Sequence, residues 1–257
     1  MNRIDTLFAK KKENILSVFF TAGYPALNDT ITIAQSLELA GVDMIEIGIP
    51  FSDPIADGPV IQQSSKQAID NGMTVKLLLE QVKEIRKTVS MPIILMGYLN
   101  PAMQYGMDRF FTDAVAAGVD GLILPDMPFD EFEMHYKKKM DGVDLRNIFL
   151  ISPTTSDDRI NKIDKASRGF IYAVSSSSTT GSRDSFDAEQ LDYFQRLKDK
   201  KLKNPFLIGF GISNHKTFSA ASQYGAGAIV GSAFIKMLSS SADLKMDIPP
   251  FIKQFKP

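Results

Sequence analysis

The sequence contains no cysteine, no tryptophan and only two histidines among its 257 residues. Without cysteine the chain cannot form a disulfide, present a thiolate nucleophile or hold an iron–sulfur cluster. The two histidines, His135 and His215, lie in segments with helical patterns and cannot supply a three-histidine metal site. We therefore expect no metal centre, and we look for chemistry carried by carboxylates and backbone amides.

An excess of charge of one sign is also missing, since 29 Lys and Arg residues face 30 Asp and Glu residues. Binding to nucleic acid through electrostatics needs a strong basic excess, so we do not expect it here. The first twelve residues have an amphipathic helical pattern without the apolar centre of a signal peptide. The longest uncharged stretch, 88–107, contains two prolines and two glycines, which makes it a poor membrane span. We expect a cytoplasmic protein.

Short apolar runs alternate with helical patterns along the chain. The runs are rich in Ile, Val, Leu and Phe, and most of them do not alternate with polar residues, as is typical of strands buried on both faces. They cover 15–21, 43–50, 92–97, 121–125, 147–152, 169–174, 205–209 and 228–231. The helical patterns between them cover 29–40, 75–89, 108–117, 130–140, 157–167, 188–200 and 216–223.

These repeats predict the α/β class and one architecture within it. Eight repeats in 257 residues are about 32 residues each, which suits a strand–helix unit. We predict a single (β/α)8 TIM barrel domain over residues 1–257, with an extra N-terminal helix. Spacing alone does not prove closure, so an open doubly wound sheet is the alternative.

A carboxylate stands inside one of the predicted strands. In the run 43–50, alternation places Ile45, Ile47 and Ile49 on one face, and Met44 and Glu46 on the face inside the barrel. Burial would raise the pKa of Glu46 and suit it to proton transfer near neutral pH. A structural ion pair or hydrogen bond within the barrel is the other interpretation.

The segment that follows this strand reads as a loop at the strand's carboxyl end, where barrel active sites lie. It contains Asp53 and Asp57 but no basic residue, and its three prolines and Gly58 favour a loop over a helix. A loop folded back over the barrel mouth could bring Asp57 to the same cavity as Glu46. Ordinary turn chemistry is the alternative explanation for both aspartates.

Glycine-bearing loops follow the last three predicted strands, at 179–181, 209–213 and 231–233. Barrels commonly bind phosphate on the loops after the last strands, through backbone N–H groups and a helix N-terminus. Such a site needs no lysine. Tight strand-to-helix turns would also require glycine.

The residues from Ile45 to Pro59, IEIGIPFSDPIADGP, form a long and specific motif that resembles the α subunit of tryptophan synthase. Shorter motifs in the same order as in that family extend the resemblance over essentially the whole chain. They are FTAGYP (20–25), MGYLNP (96–101), LPDMP (124–128), ISPTT (151–155), FIYAVS (170–175), GFGIS (209–213) and VGSA (230–233).

This resemblance implies a (β/α)8 barrel that cleaves indole-3-glycerol phosphate to indole and glyceraldehyde 3-phosphate. Glu46 matches the family's acid–base glutamate and Asp57 its second catalytic carboxylate, while Tyr172 matches a tyrosine that lines the site. Thr180 matches the retained threonine of the sixth loop and is a further candidate for substrate binding. The positions that match phosphate contacts are Gly181, Gly211, Gly231 and Ser232. Candidates for an apolar slot around indole are Phe20, Leu99 and Phe210.

The resemblance also implies an α2β2 complex in which indole passes to a β subunit. That partner would carry pyridoxal phosphate, and no cofactor is expected in this chain. Asp53 and Pro54 match the loop that faces the partner. The sequence departs from the family in the sixth loop, where Ser-Arg-Thr-Gly-Val-Thr-Gly is replaced by Ser-Ser-Ser-Ser-Thr-Thr-Gly at 175–181. This loop is a lid in the family, so the departure bears on lid closure and coupling.

Two other functions stay open on the residues alone. One is another phosphosugar enzyme on the same barrel, and the other is a non-catalytic barrel kept as an allosteric partner. Two other routes for cleaving a carbon–carbon bond are disfavoured. No predicted strand contains the lysine that a Schiff-base enzyme needs, and two helical histidines cannot supply a metal aldolase with its ligands.

Overall fold

The computed structural model describes residues 1–175 and 185–255. Within these ranges nine parallel strands form one sheet, in the order β5-β4-β3-β2-β1-β9-β8-β7-β6. The strands are β1 (Ile15–Thr21), β2 (Met44–Gly48), β3 (Ile93–Met96), β4 (Gly121–Ile123), β5 (Arg146–Asn147), β6 (Leu150–Ile151), β7 (Ile171–Val174), β8 (Phe206–Gly209) and β9 (Gly227–Val230).

Helices connect most of these strands and cover the outside of the sheet. They are α1 (Arg3–Lys10), α2 (Asp29–Leu39), α3 (Pro59–Asp70), α4 (Val75–Ile85), α5 (Leu99–Tyr105), α6 (Met107–Ala117), α7 (Phe129–Glu131), α8 (Lys137–Gly142), α9 (Asp157–Ala166), α10 (Ala188–Asp199), α11 (His215–Ser222), α12 (Ser232–Ser240) and α13 (Leu244–Lys253). A π-helical turn, Phe132–Tyr136, joins α7 to α8. None of the helices in the described ranges is long and apolar enough to span a membrane.

Every predicted strand is present, but the fifth is divided in two. The backbone N–H of Ile148 donates to Leu122 at 2.9 Å, on the β4 side, and Phe149 accepts from the N–H of Tyr172 at 2.9 Å, on the β7 side. The chain thus changes neighbour between β5 and β6, which interrupts the regular ladder. The sheet curls, and its two end strands, β5 and β6, follow each other directly along the chain.

The two faces of the strands pack in two layers, as alternation predicts. Ile45, Ile47 and Ile49 lie in the large core between sheet and helices, and Met44 lies in a second cluster enclosed by the sheet. The same alternation along β1 sends Phe20 to the helices and turns Phe19 inward. Glu46 therefore lies on the inner face, beside Phe19 in register.

The helix α1 covers the end of the sheet where the strands begin. Ile4 and Phe8 belong to the inner apolar cluster, and the ring of Phe8 lies 5.6 Å from that of Phe170. The side-chain amide of Asn2 donates to the backbone oxygens of Asp120 at 2.9 Å and Asp144 at 3.0 Å. Because this end is filled with side chains, the space for a ligand lies at the carboxyl ends of the strands.

The sequence patterns missed α3, α5, α12 and α13. Prolines explain two of these omissions: Pro59 occupies the first position of α3, where no N–H donor is needed, and α13 contains Pro249 and Pro250. The helix predicted over 130–140 exists but is interrupted by the π-helical turn. His135 lies in that turn and His215 begins α11, so both histidines are helical as predicted.

Candidate active site

Glu46 lies in the middle of β2 with its side chain fully buried. The hydroxyl of Ser17, on β1, donates to its Oε1 at 2.8 Å. Its Oε2 has no hydrogen-bond partner among the residues that the structure describes. Burial raises the pKa of Glu46 to about 8, and the Ser17 hydrogen bond opposes that rise. Glu46 therefore holds a proton at neutral pH and can donate it.

Asp57 lies in the loop between β2 and α3 and is held there by Tyr98. The Tyr98 hydroxyl donates to Oδ2 of Asp57 at 3.2 Å and accepts the backbone N–H of Ala56 at 2.9 Å. The ring of Tyr98 also packs against Phe51, 5.2 Å away between centroids. Burial raises the pKa of Asp57 to about 6, against the hydrogen bond from Tyr98. Asp57 is thus mostly ionised near pH 7.

Tyr172, on β7, completes this group of residues. Burial raises its pKa well above the ordinary value, and the charges of Glu46 and Asp57 add to the rise. Those charges act on Tyr172 because the carboxyl groups of Glu46 and Asp57 lie close enough to its hydroxyl to interact with it. The Tyr172 ring meets Phe210 edge to face at 6.3 Å, and its hydroxyl occupies the space that a Cβ on residue 209 would need. Gly209 therefore makes room for Tyr172.

A cavity of about 680 Å³ opens above these residues. Asp57 and Tyr172 line it, and apolar side chains contribute much of the wall. These are Phe19, Val60, Ile61, Met96, Phe186, Phe210, Ile212, Ile229 and Phe251. A narrower pocket of about 50 Å³ adjoins it and is lined by Tyr98, Pro125 and Leu150. Glu46 lines neither space in this conformation.

The glycine-bearing loops that follow β8 and β9 reach the same cavity. Gly211, Gly231 and Ser232 all line it. Gly211 has φ +73°, a conformation that favours glycine, and Ser232 is the first residue of α12. Exposed N–H groups at such a position can bind an anion. Thr180 and Gly181, the other two predicted contacts, lie outside the described residues.

Two residues predicted to line the indole slot lie elsewhere. Phe20 is fully buried on the helical side of β1, 6.5 Å from the ring of Phe234, so its prediction as a wall of the indole slot is wrong. Phe19 takes that place because neighbouring residues of a strand face opposite ways. Leu99 begins α5 and packs in the outer core, and it lines neither the large cavity nor the narrower pocket. Pro54 is buried and Asp53 is exposed in the loop that follows β2, and the prediction that this loop faces a partner stays a prediction.

Sequence reasoning missed four residues of this site: Ser17, Phe19, Tyr98 and Lys236. The inward alternation of β1 would have identified Ser17 and Phe19. Tyr98 follows the end of β3, where barrel active-site residues commonly lie. No short pattern singles out Lys236, since it lies in a helix that the sequence patterns missed.

The described part of the chain holds no group of three or more His, Asp or Glu residues placed to bind a metal ion. What the site offers is a buried proton donor, an ionised carboxylate, a tyrosine and backbone N–H groups. Together these can move protons on an aromatic, partly apolar substrate that carries an anionic group.

Comparison with known proteins gives a consistent result. A family model described as "Tryptophan synthase alpha chain" matches residues 6–249. The chain is similar to the tryptophan synthase alpha chain of Flavobacterium psychrophilum, with 56% identity over 94% of this chain and 95% of that protein. The corresponding protein of Parabacteroides distasonis is 53% identical over 94% of each chain. A crystal structure of the alpha subunit from Legionella pneumophila superimposes with a TM-score of 0.90 at 35% identity, covering 99% of this chain and 97% of that one.

Proposed function

The chain belongs to the tryptophan synthase alpha chain family, a family of lyases in tryptophan biosynthesis, and we propose that Glu46 and Asp57 carry its reaction. The reaction is the retro-aldol cleavage of indole-3-glycerol phosphate to indole and glyceraldehyde 3-phosphate. The observation that carries the proposal is the pair of carboxyl groups around Tyr172, whose pKa values are about 8 for Glu46 and about 6 for Asp57. Different environments can keep one carboxyl group protonated and the other ionised in the same site, so the two groups can take different roles.

The cleavage requires two proton movements and one transient positive charge. Glu46 donates a proton to C3 of the indole ring, and the positive charge that results spreads to the ring nitrogen. Asp57, as a carboxylate, accepts a hydrogen bond from the indole N–H and stabilises that charge. The side-chain hydroxyl next to C3 then gives its proton to the Glu46 carboxylate as the carbon–carbon bond breaks. Indole and the aldehyde leave, and Glu46 is protonated again.

Different parts of the cavity suit the two ends of such a substrate, the indole ring and the phosphate. Asp57, Phe19 and Met96 line one part of it, where an aromatic ring would lie against apolar side chains. Gly211, Gly231 and Ser232 line another part, where N–H groups would bind the phosphate. Binding energy from a phosphate remote from the breaking bond can position the reacting atoms.

In this conformation Glu46 turns toward Ser17, away from the cavity. The proposal therefore requires its side chain to rotate toward the substrate. The unpartnered Oε2 favours such a rotation, since only the one hydrogen bond from Ser17 must be given up. The proton remains on Glu46 during the rotation as long as the group stays away from water.

We also infer that the curled sheet is a closed (β/α)8 barrel. The support is that β5 bonds to β4 while β6 bonds to β7, with only two residues between them. In this interpretation β5 and β6 are two halves of the fifth strand. One barrel domain over residues 1–257, with α1 as an extra helix at its closed end, remains our prediction.

We propose that the loop between β2 and α3 binds a β subunit in an α2β2 complex, with pyridoxal phosphate in the partner. Asp53 is exposed and Ile55 is 90% exposed on this loop. Ile55→Asp should weaken binding of the β subunit at least tenfold in calorimetry. Leu39, which is 89% exposed on α2, provides the matched control, and Leu39→Asp should leave the affinity unchanged. Equal effects of the two substitutions would remove the loop from the interface.

An indole-release assay on indole-3-glycerol phosphate, with and without a β subunit, tests the proposed activity. The wild-type chain should release indole, and Glu46→Gln should lower turnover by at least about a hundredfold, the scale of one acid–base group. Asp57→Asn should cause a comparably large loss with the fold intact. Glu80→Gln, at an exposed position of α4, serves as the control and should be as active as wild type. Normal turnover in Glu46→Gln would refute the assignment.

A further inference from the structure

One cationic side chain reaches the cavity that the carboxylates and glycine loops enclose. Lys236 is exposed on α12 and lines the cavity together with Ser232 and Gly231. The other charged lining residues in the described part of the chain are Asp57, Asp187 and Glu189, which are all acidic. Lys236 is therefore the sole source of positive side-chain charge in the described lining.

The position of Lys236 in its helix directs it toward the proposed phosphate site. Lys236 follows Ser232 by four residues, so both lie on the same face of α12. Helical side chains tilt toward the N-terminus, and four residues span only about 6 Å along the axis. An extended lysine covers that distance. Its ammonium group can thus reach the first turn of α12, where Gly231 and Ser232 meet the cavity.

The positive charge of Lys236 would favour binding of a phosphate in this cavity. A phosphate near neutral pH carries up to two negative charges, and the carboxylates of Asp57 and Glu189 in the lining repel it. Backbone N–H groups and a helix N-terminus supply only partial charges in return. No ion pair joins Lys236 to a carboxylate within residues 1–175 and 185–255, so its ammonium is available to a ligand.

We propose that Lys236 binds the phosphate group of the substrate and sets the preference of the site for phosphorylated ligands. This inference rests on the proposed function, since it assigns a residue to the anionic end of the same substrate. Lys236 does not take part in the proton transfers. Its contribution is to substrate affinity, and removing it should raise KM while leaving kcat nearly unchanged.

The test compares two substrates in the full-length chain with its β subunit. Lys236→Gln should raise KM for indole-3-glycerol phosphate about tenfold or more, the scale of one charge-assisted hydrogen bond. The same variant should cleave the dephosphorylated indole-3-glycerol with the kcat/KM of wild type. Lys236→Arg keeps the charge and should recover most of the lost affinity. Lys245→Gln, at an exposed position of α13 away from the cavity, is the control.

Direct binding gives an independent readout. Inorganic phosphate should inhibit wild type more strongly than Lys236→Gln, and added salt should weaken that inhibition more in wild type than in the variant. An unchanged KM and unchanged phosphate inhibition in Lys236→Gln would overturn the inference. So would an equal loss of kcat/KM on both substrates, which would indicate a structural role. Absence of indole release by wild type would instead refute the proposed function.

Discussion

Ser17 on β1 donates a hydrogen bond of 2.8 Å to one oxygen of Glu46 on β2, while the other oxygen of that carboxyl group has no partner in the described residues. The carboxyl group of Glu46 is thus fully buried with a single hydrogen bond from the described residues. Its pKa rises to about 8 because burial outweighs the single hydrogen bond. A group in this state can both donate a proton at neutral pH and turn away from its one partner.

The pH dependence of kcat/KM should be bell-shaped. Its acidic limb should lie near the pKa of Asp57 and its alkaline limb near the pKa of Glu46. Activity should rise through about pH 6 as Asp57 ionises and fall through about pH 8 as Glu46 loses its proton. Asp57→Asn should lack the acidic limb in the activity that remains. Steady-state indole release between pH 5 and pH 10 measures this. A profile flat from pH 5 to pH 10 in wild type would contradict the roles given to both groups.

Ser17→Ala should move the alkaline limb of that bell to higher pH. The hydroxyl of Ser17 favours the charged form of Glu46, so its loss raises the pKa of Glu46 further. The effect should be a shift of the limb rather than a loss of the maximum rate. Ser90→Ala, whose hydroxyl bonds to Glu38 far from the site, serves as the control and should leave the limb in place.

Tyr98→Phe should move the acidic limb to higher pH and lower the rate severalfold. The Tyr98 hydroxyl favours the charged form of Asp57 and fixes the backbone at Ala56, so removing it raises the pKa of Asp57 and loosens the loop. Tyr105→Phe removes a hydroxyl bonded to Asp113 instead, and this control should keep the wild-type profile. A Tyr98→Phe profile that overlays wild type would show that Tyr98 does not position Asp57.

Glu46→Gln should change the pH dependence of stability as well as activity. The folded pKa of Glu46 lies above its ordinary value, so Glu46 keeps its proton in the folded state while the unfolded chain releases it. Wild-type stability therefore falls as pH rises from about 4.5 to about 8, by up to about 1.4 kcal/mol per pH unit from this group. Denaturant unfolding should show that Glu46→Gln lacks this decline. Glu80→Gln should retain the wild-type slope, and an identical slope in all three proteins would contradict the buried state of Glu46.

Gly209→Ala should destabilise the protein and displace Tyr172. The added methyl would occupy the space of the Tyr172 ring and hydroxyl, which buried neighbours prevent from moving freely. Overpacking of this kind lowers the free energy of unfolding by about 1–3 kcal/mol. Gly142→Ala has no atom within 4 Å of the new methyl and should stay within about 0.5 kcal/mol of wild type in thermal unfolding. Equal stability of the two variants would show that the space at Gly209 is not required.

The sequence by itself determines much of this protein. The apolar run 15–21 predicts strand β1 at its observed bounds, and alternation along 43–50 places Glu46 on the inner face. These features follow from local periodicity, which is written directly in the order of apolar residues. The long motif from Ile45 to Pro59 identified the family, which the comparisons support.

Other features depended on how distant segments pack. Phe19 lies opposite Glu46 in the ladder between β1 and β2, a pairing that depends on how two strands separated by α2 come together. The pairing of Tyr98 with Asp57 joins residues 41 positions apart, and Lys236 reaches the cavity because α12 follows β9. The pKa values of Glu46 and Asp57 likewise come from burial by several strands and loops at once. Local sequence carries no record of such contacts, since they form only when segments distant along the chain pack together in the folded protein.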